Sequence, residues 1–327
     1  MIELIGGSGF IGTRLAARSR DKATPFQILD KAPSAAFSEA YRWVDVRDVA
    51  SLRAQMQGGP VINLAAEHRD DVRPRSLYED VNVQGARNVC QVAREKGVRT
   101  IVFTSTVAVY GFAPPNTDEQ GAINPFNEYG RTKWDAEQVY QEWHAEDPEN
   151  RTLVIVRPTV VFGEQNRGNV YNLLRQIASG RFVMVGSGRN VKSMAYVENI
   201  AAFLEHSLSF APGCHVYNYV DKPDFDMNAL VATVREQLGA GEGVGFRLPR
   251  AVGMAAGYTF DLAARATRRS FPISSIRVRK FCATTQFATS IGETGFTAPV
   301  SLEEGLQRTV QYEFLEDHRG EKVFVTE

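Results

Sequence analysis

Cysteine is scarce in this chain: three in 327 residues, Cys90, Cys214 and Cys282, odd in number and far apart. That excludes a disulfide framework and a cysteine metal site, and it fits a reducing compartment. Histidine is nearly as rare, with five, and neither a histidine pair nor a carboxylate cluster has metal-ligand spacing, so no metal is expected. Net charge is almost absent: 37 basic and 38 acidic residues leave -1, so no global field draws the chain to nucleic acid. Long apolar runs are missing as well. The softest stretch, "AVGMAAGYTFDLAARA" from residue 251, reaches Asp261 and Arg265 too early to span a bilayer. It reads as a docking helix, with contact to a membrane surface as the alternative. The apolar N-terminus is broken by glycines and by Arg14, Arg18 and Arg20, so no signal peptide is expected and the location reads as cytoplasmic.

What is present is an ordinary soluble balance, 43% hydrophobic and 23% charged, in a chain long enough to bury a sizeable core. Its first half alternates short β-rich runs with helical patterns. "IELIG", "PFQILD", "YRWVDVRD", "PVINLAA", "RTIVFTST" and "TLVIVRPT" read as six strands, with helices after the first, third, fourth and fifth. The predicted fold is α/β: a doubly wound parallel Rossmann sheet with a smaller, discontinuous α/β domain. After Phe162 the rhythm becomes irregular, and "HVYNYV" (215–220) reads as a strand returning to the sheet. The expected division gives 1–163 and 191–222 to a dinucleotide-binding domain, and 164–190 and 223–327 to a substrate-binding domain. Residues 316–327 read as a loose charged tail.

"GGSGFIG" lies between the first strand and the first helix, with glycines at 6, 9 and 12. Gly6, Gly9 and Gly12 permit a tight turn, close approach of a pyrophosphate, and close helix–strand packing. The free N–H groups at the helix start then suit phosphate. The second strand ends in Asp30, 18 residues after Gly12, where a carboxylate accepts the ribose hydroxyls of NAD and repels a 2′-phosphate. Lys31 beside it is a counterweight. Further on, "NEYGRTKWDAE" sets Tyr129 and Lys133 four residues apart, on one face if the segment is helical. With 11 tyrosines and 8 lysines, chance predicts about 0.3 such pairs.

The landmarks "GGSGFIG", "ILD", "VDVRD", "NLAA", "NVQGARNV", "TSTVAVYG", "YGRTK" and "RPTVVFG" follow one another in order. In this the chain resembles the extended short-chain dehydrogenase/reductases, specifically the NAD-dependent nucleotide-sugar epimerase/dehydratase family, over most of its first 200 residues. The resemblance implies that Asp45 and Val46 flank an adenine ring, and that Leu64, Ala65 and Ala66 form a strand end over which the cofactor lies. It adds Phe10, Ile11, Thr104 and Pro158 to the cofactor site, and it makes Asn82 a tie between helix and sheet. Thr106 falls at the family's substrate-binding Ser/Thr position, with Ser105 as its rival. Tyr129 and Lys133 fall at the catalytic tyrosine and lysine. Lys133⁺, with the positive nicotinamide, is expected to lower the tyrosine's pKa toward phenolate. The family's dimers imply a homodimer through 82–96 and 129–147.

Departures narrow the reading. Val107 and Ala108 stand where family dehydratases carry an Asp-Glu pair, so elimination of water is not expected. "NVKSMAYVEN" has Lys192 and Ser193 where an Arg-Asp pair is usual, leaving Arg189 or Lys192 as candidate contacts for a substrate diphosphate. Arg265, Arg268 and Arg269 divide evenly between phosphate contact and surface. His68 reads as a loop histidine without a role. The expected function is a UDP-sugar 4-epimerase working through a 4-keto intermediate. The alternatives are a ketoreductase or dehydrogenase on the same trio, and a non-catalytic dinucleotide sensor, against which the intact Thr106, Tyr129 and Lys133 weigh.

Overall fold

A computed structural model describes residues 1–69, 72–267 and 274–325, without the side chains at 263–266 and 277. Seven strands make one sheet: β1 (Ile2–Ile5), β2 (Phe26–Asp30), β3 (Tyr41–Trp43), β4 (Val61–Asn63), β5 (Thr100–Thr104), β6 (Thr152–Pro158) and β7 (Gly213–Tyr219). Their order is β7-β6-β5-β4-β1-β2-β3, every pair parallel. Parallel strands need crossovers, and here helices supply most of them: α1 (Phe10–Asp21), α2 (Val49–Gln55), α3 (Gly85–Lys96) and α4 (Glu128–Ala145). A π-helical turn, Glu79–Gln84, leads into α3.

Both faces of the sheet are covered, which explains the continuous apolar runs. Ile5, Ile101, Phe103, Leu153 and Ile155 pack with Val89 and Cys90 of α3 and Tyr140 and Trp143 of α4. Their neighbours Leu4, Val102 and Val154 point the other way, to Leu15 of α1 and Ile200 and Phe203 of a later helix. The strand order reverses between β1 and β4, so the carboxyl ends of these two strands open a crevice.

The segment after Phe162 contains more order than its sequence suggests. α5 (Asn169–Ala178) buries Val170, Leu174 and Ile177, a helical spacing hidden among glycines and polar residues. α6 (Val197–His206) returns to the sheet, while α5, α7 (Met227–Gln237) and α10 (Leu302–Val310) share a second core with Phe162 and Tyr196. Between these last two helices come α8 (Arg250–Thr267) and α9 (Ser275–Cys282). Three two-stranded ribbons stitch the second core together.

The expected loose tail is instead pinned as far as it is described. Phe324 N–H donates to the Gln165 carbonyl at 2.8 Å, and Arg167 N–H donates to the Phe324 carbonyl at 2.7 Å. The Phe324 ring lies 5.8 Å from that of Phe10. The surrounding charges read as solvated tail; one aromatic anchor overrides them.

α4 is fastened to the sheet by a fully buried ion pair, Arg157 to Glu137 at 2.6 Å. Arg157 also donates to the Tyr110 hydroxyl at 2.7 Å. Replacing Glu137 by Ala strands the guanidinium, so we expect Glu137→Ala to lower stability by about 3–5 kcal/mol, read by urea denaturation. A loss below about 1 kcal/mol would mean that water reaches the pair.

Candidate active site

The crevice at the strand reversal continues into a cleft of about 960 Å³ between the sheet and the second core. Its floor is the turn from β1 to α1. Gly6 has φ +74, and a Cβ there would fall 2.6 Å from the Ala65 backbone nitrogen, so the strand ends after β1 and β4 meet almost backbone to backbone. Gly9, Phe10, Ile11 and Gly12 continue the floor, with Leu64, Ala65 and Ala66 beside them. Asp30 closes one end, accepting from Ser8 N–H at 3.0 Å and Ala32 N–H at 2.9 Å, so it braces the glycine-rich turn as well as lining the cleft. Ser8 Oγ is buried with no partner among the described residues, an orphan hydroxyl beside the uncapped start of α1. This turn therefore fits a dinucleotide pyrophosphate.

Asp45 and Val46 line the same end, just past the pairing of Asp30 with Trp43. Arg47 hydrogen-bonds the Asp45 carboxylate and holds its pKa below the usual range. Asn82 links the loop after β4 to α4: it exchanges hydrogen bonds with the Glu67 backbone at 2.8 and 3.0 Å and donates to Thr132 at 2.9 Å.

Thr104, Ser105, Thr106, Tyr129, Lys133 and Pro158 gather at the other end. The side chain of Asn127 accepts from Gly130 N–H at 2.9 Å, so α4 begins where Tyr129 must point inward. A Cβ on Gly130 would lie 2.6 Å from the Ala108 carbonyl, so only glycine lets α4 sit this close to the turn that carries Thr106. The Thr106 hydroxyl lies beside that of Tyr129. Lys133, one turn on, is 2% exposed, with Nζ 4.3 Å from the centre of the Phe103 ring.

The two neighbouring hydroxyls have different partners. Ser105 donates to Glu137, while Thr106 faces Tyr129. Thr104 donates to the Asn63 carbonyl at 2.7 Å. Arg189 is exposed and outside the cleft lining. Lys192 is also outside it; its Nζ donates to the carbonyls of Lys280 at 3.1 Å and Ala283 at 2.6 Å. Arg268 and Arg269, and the Arg265 side chain, lie outside what the structure describes.

Sequence reading passed over the wall formed by Asn169, Ser193, Thr285 and Phe287. These come from three distant segments, and no local pattern joins them. His68 is also on the wall, its Nε2 buried without a partner among the described residues and its pKa lowered by that burial.

Burial pushes the Tyr129 hydroxyl up to about 12, and the nearby Thr106 hydroxyl offsets this in part. Burial pulls Lys133 down to about 7, against the pull of Glu137. In the free chain desolvation thus outweighs the expected lowering of Tyr129 by Lys133, which is itself half discharged near neutrality.

With this geometry, the comparisons with known proteins are specific. The profile of the "NAD dependent epimerase/dehydratase family" matches residues 2–218. The chain belongs to the NAD-dependent epimerase/dehydratase family. A relative in Escherichia coli O157:H7, N-acetyl-alpha-D-glucosaminyl-diphospho-ditrans,octacis-undecaprenol 4-epimerase, is 51% identical over 329 residues, covering 99% of this chain and 98% of that one. The UDP-N-acetylglucosamine 4-epimerase of Bacillus cereus superposes with TM-score 0.75 at 15% identity, covering 96% of this chain and 99% of that one. MoeE5 in complex with UDP-glucuronic acid and NAD gives 0.71 at 21% identity, over 95% and 98%. At such identities the two structures establish a shared fold.

For this epimerase-family chain the lysine makes a pH prediction. A lysine neutral in the folded state above about 7 but protonated when unfolded up to its ordinary value of 10.5 makes stability rise with pH across that window, by at most about 1.4 kcal/mol per unit. The contribution is lost as pH falls through the folded pKa. Compared with Lys133→Met, the cofactor-free wild type should gain stability between pH 7 and 10. Parallel denaturation profiles of the two proteins would contradict a discharged Lys133.

Proposed function

We propose that this chain is an NAD-dependent 4-epimerase of an N-acetylhexosamine carried on a diphosphate, with a polyprenyl lipid as carrier. The observation that carries the reaction type is the trio Thr106, Tyr129 and Lys133, assembled at one end of a cleft whose other end has a dinucleotide's features. The carrier is supported by the 51% identical relative, which spans the whole chain and whose name specifies an undecaprenyl diphosphate. The 4-epimerase reaction is the one expected from sequence, and the relative's name adds a prenyl diphosphate as the carrier in place of UDP.

NAD⁺, when bound, would accept and return the hydride of sugar C4, and its positive ring would supply charge that favours a Tyr129 phenolate. Tyr129 takes the proton from the C4 hydroxyl as the C4–H bond breaks, leaving a 4-keto sugar. Thr106 holds the same oxygen. Once the sugar has presented its other face, Tyr129 would give the proton back to the C4 oxygen. Lys133 lies one turn along the same helix face and stabilises the phenolate when protonated. The uncapped start of α5 at Asn169 offers N–H groups on the wall where the diphosphate would lie. A homodimer through the α3 and α4 surfaces and a cytoplasmic catalytic domain belong to the same proposal. Among the described residues, no helix is long and apolar enough to cross a membrane.

Two outcomes test this. Tyr129→Phe should keep bound cofactor but lose about 10²-fold or more in kcat for interconversion of gluco- and galacto-configured N-acetylhexosamine diphosphoprenols, without added NAD. Near-normal turnover would refute the acid–base role. Calorimetry should show NAD binding at least about tenfold tighter than NADP, because Asp30 faces the ribose position. Equal affinities would make Lys31, also on the cleft wall, the governing charge.

A further inference from the structure

Residues 246–282 hold eight arginines and lysines and one acid, Asp261, in a chain whose charges otherwise run to an acidic excess. The described part of this segment is the helical hairpin of α8 and α9. α8 attaches by its glycine face. A Cβ on Gly253 would meet the Val185 side chain at 2.4 Å, and one on Gly257 would fall 2.7 Å from the Ser275 backbone, so this side lies flush on the second core and on α9. The lone acid is turned inward: Asp261 accepts from Ser275 N–H at 3.2 Å.

The outer face of a soluble helix normally carries charge. Here Ala251, Ala255, Tyr258 and Leu262 form one stripe at helical spacing, all exposed, with Val252 at its edge. Val252 is 49% exposed, Tyr258 55% and Leu262 69%; Phe246, just before the hairpin, is 66% and Ile276 on α9 is 61%. Arg250, Arg279 and Lys280 are exposed on the same two helices. An apolar outer stripe edged by basic residues is the pattern of a helix lying in a membrane interface. A second copy of the chain is a poor cover, because two such hairpins would bring like charges together. An anionic surface neutralises them.

The hairpin also stands next to the cleft. Thr285 and Phe287, just past α9, line it. Lys192, beside the cleft residue Ser193, is tied to the Lys280 and Ala283 carbonyls.

We propose that the hairpin formed by α8 and α9 lays its outer apolar stripe into the surface of an anionic phospholipid bilayer and holds the cleft at the membrane. This rests on the lipid-linked substrate proposed above, for which a bilayer is the medium that presents the diphosphosugar. The proposal concerns surface binding and needs no substrate to be tested.

Full-length protein is sedimented with phosphatidylcholine vesicles and with vesicles containing about 30% phosphatidylglycerol, at about 0.1 M and then about 0.5 M salt. Binding should be at least about tenfold tighter on the anionic vesicles and should weaken with salt. The double variant Tyr258→Ser, Leu262→Glu should lose about tenfold or more, and so should Arg279→Gln, Lys280→Gln. Circular dichroism and retained cofactor verify that each variant is folded. On a water-soluble short-prenol substrate, kcat should be unchanged in both variants. Wild type that stays in the supernatant, or variants that bind as tightly as wild type, would overturn the proposal. So would a wild-type dimer that ignores vesicles and becomes monomeric in the double variant. Vesicle binding without turnover of any diphosphoprenyl sugar would instead refute the proposed substrate and leave the surface standing.

Discussion

The buried ion pair between Glu137 and Arg157 is the constraint on which the catalytic end depends. Glu137 lies one turn beyond Lys133 on α4, and Arg157 lies one residue before Pro158 at the end of β6. Ser105, at the end of β5, donates to Glu137, and Tyr110 joins Arg157 to Asn218 of β7. Asn218 in turn donates to the Ala288 carbonyl at 3.1 Å, one residue from Phe287 on the cleft wall. One polar network thus ties three strands, the catalytic helix and a substrate-side loop. In a low-dielectric interior each member is costly to leave unpaired, so the network tolerates few other arrangements. Geometry at Tyr129 and Thr106 is set from behind.

The same burial leaves the free site poor in charge. Tyr129 is a neutral phenol and Lys133 is half discharged, because desolvation outweighs each group's neighbours. A site in this state is poised for a bound cation rather than for free solvent. An enzyme that must return the hydride it removes gains from holding its cofactor throughout the cycle. The glycine-rich turn is braced for that from several directions: by Asp30 through Ser8, by Phe324 against Phe10, and by Lys322, whose Nζ lies 3.4 Å from the Ser8 carbonyl.

The legible parts of this site were those encoded by short spacing in a strand–turn–helix setting. "GGSGFIG", the strand-end Asp30 and the Tyr129–Lys133 pair are local patterns, and each lines the cleft. What stayed hidden depends on distant partners. Ser105 and Thr106 are neighbours of similar chemistry, and only Glu137, 32 residues from Ser105, separates them. Arg189 and Lys192 looked equally suited to a diphosphate, yet one faces solvent and the other a pair of carbonyls. α5 was masked by the glycines and polar residues around its apolar face, and the tail by its charges. The burial of His68 Nε2 shows only in three dimensions.

The departure at "NVKSMAYVEN" gains a physical meaning from this. Where the family often has an Arg-Asp pair, Lys192 reaches away from the cleft to the end of α9, and Ser193 donates to Asp224 at 2.7 Å while accepting from Phe287 N–H at 3.0 Å. The two positions therefore couple the cleft wall to the basic hairpin. A trio that removes and returns a hydride does not distinguish a soluble carrier from a lipid one, because both attach beyond the reacting carbon. Discrimination must arise beyond the reacting carbon, and Thr285 and Phe287, just past α9, line the cleft there. Carrier choice would then reside in the surface that meets the membrane more than in added contacts to the sugar.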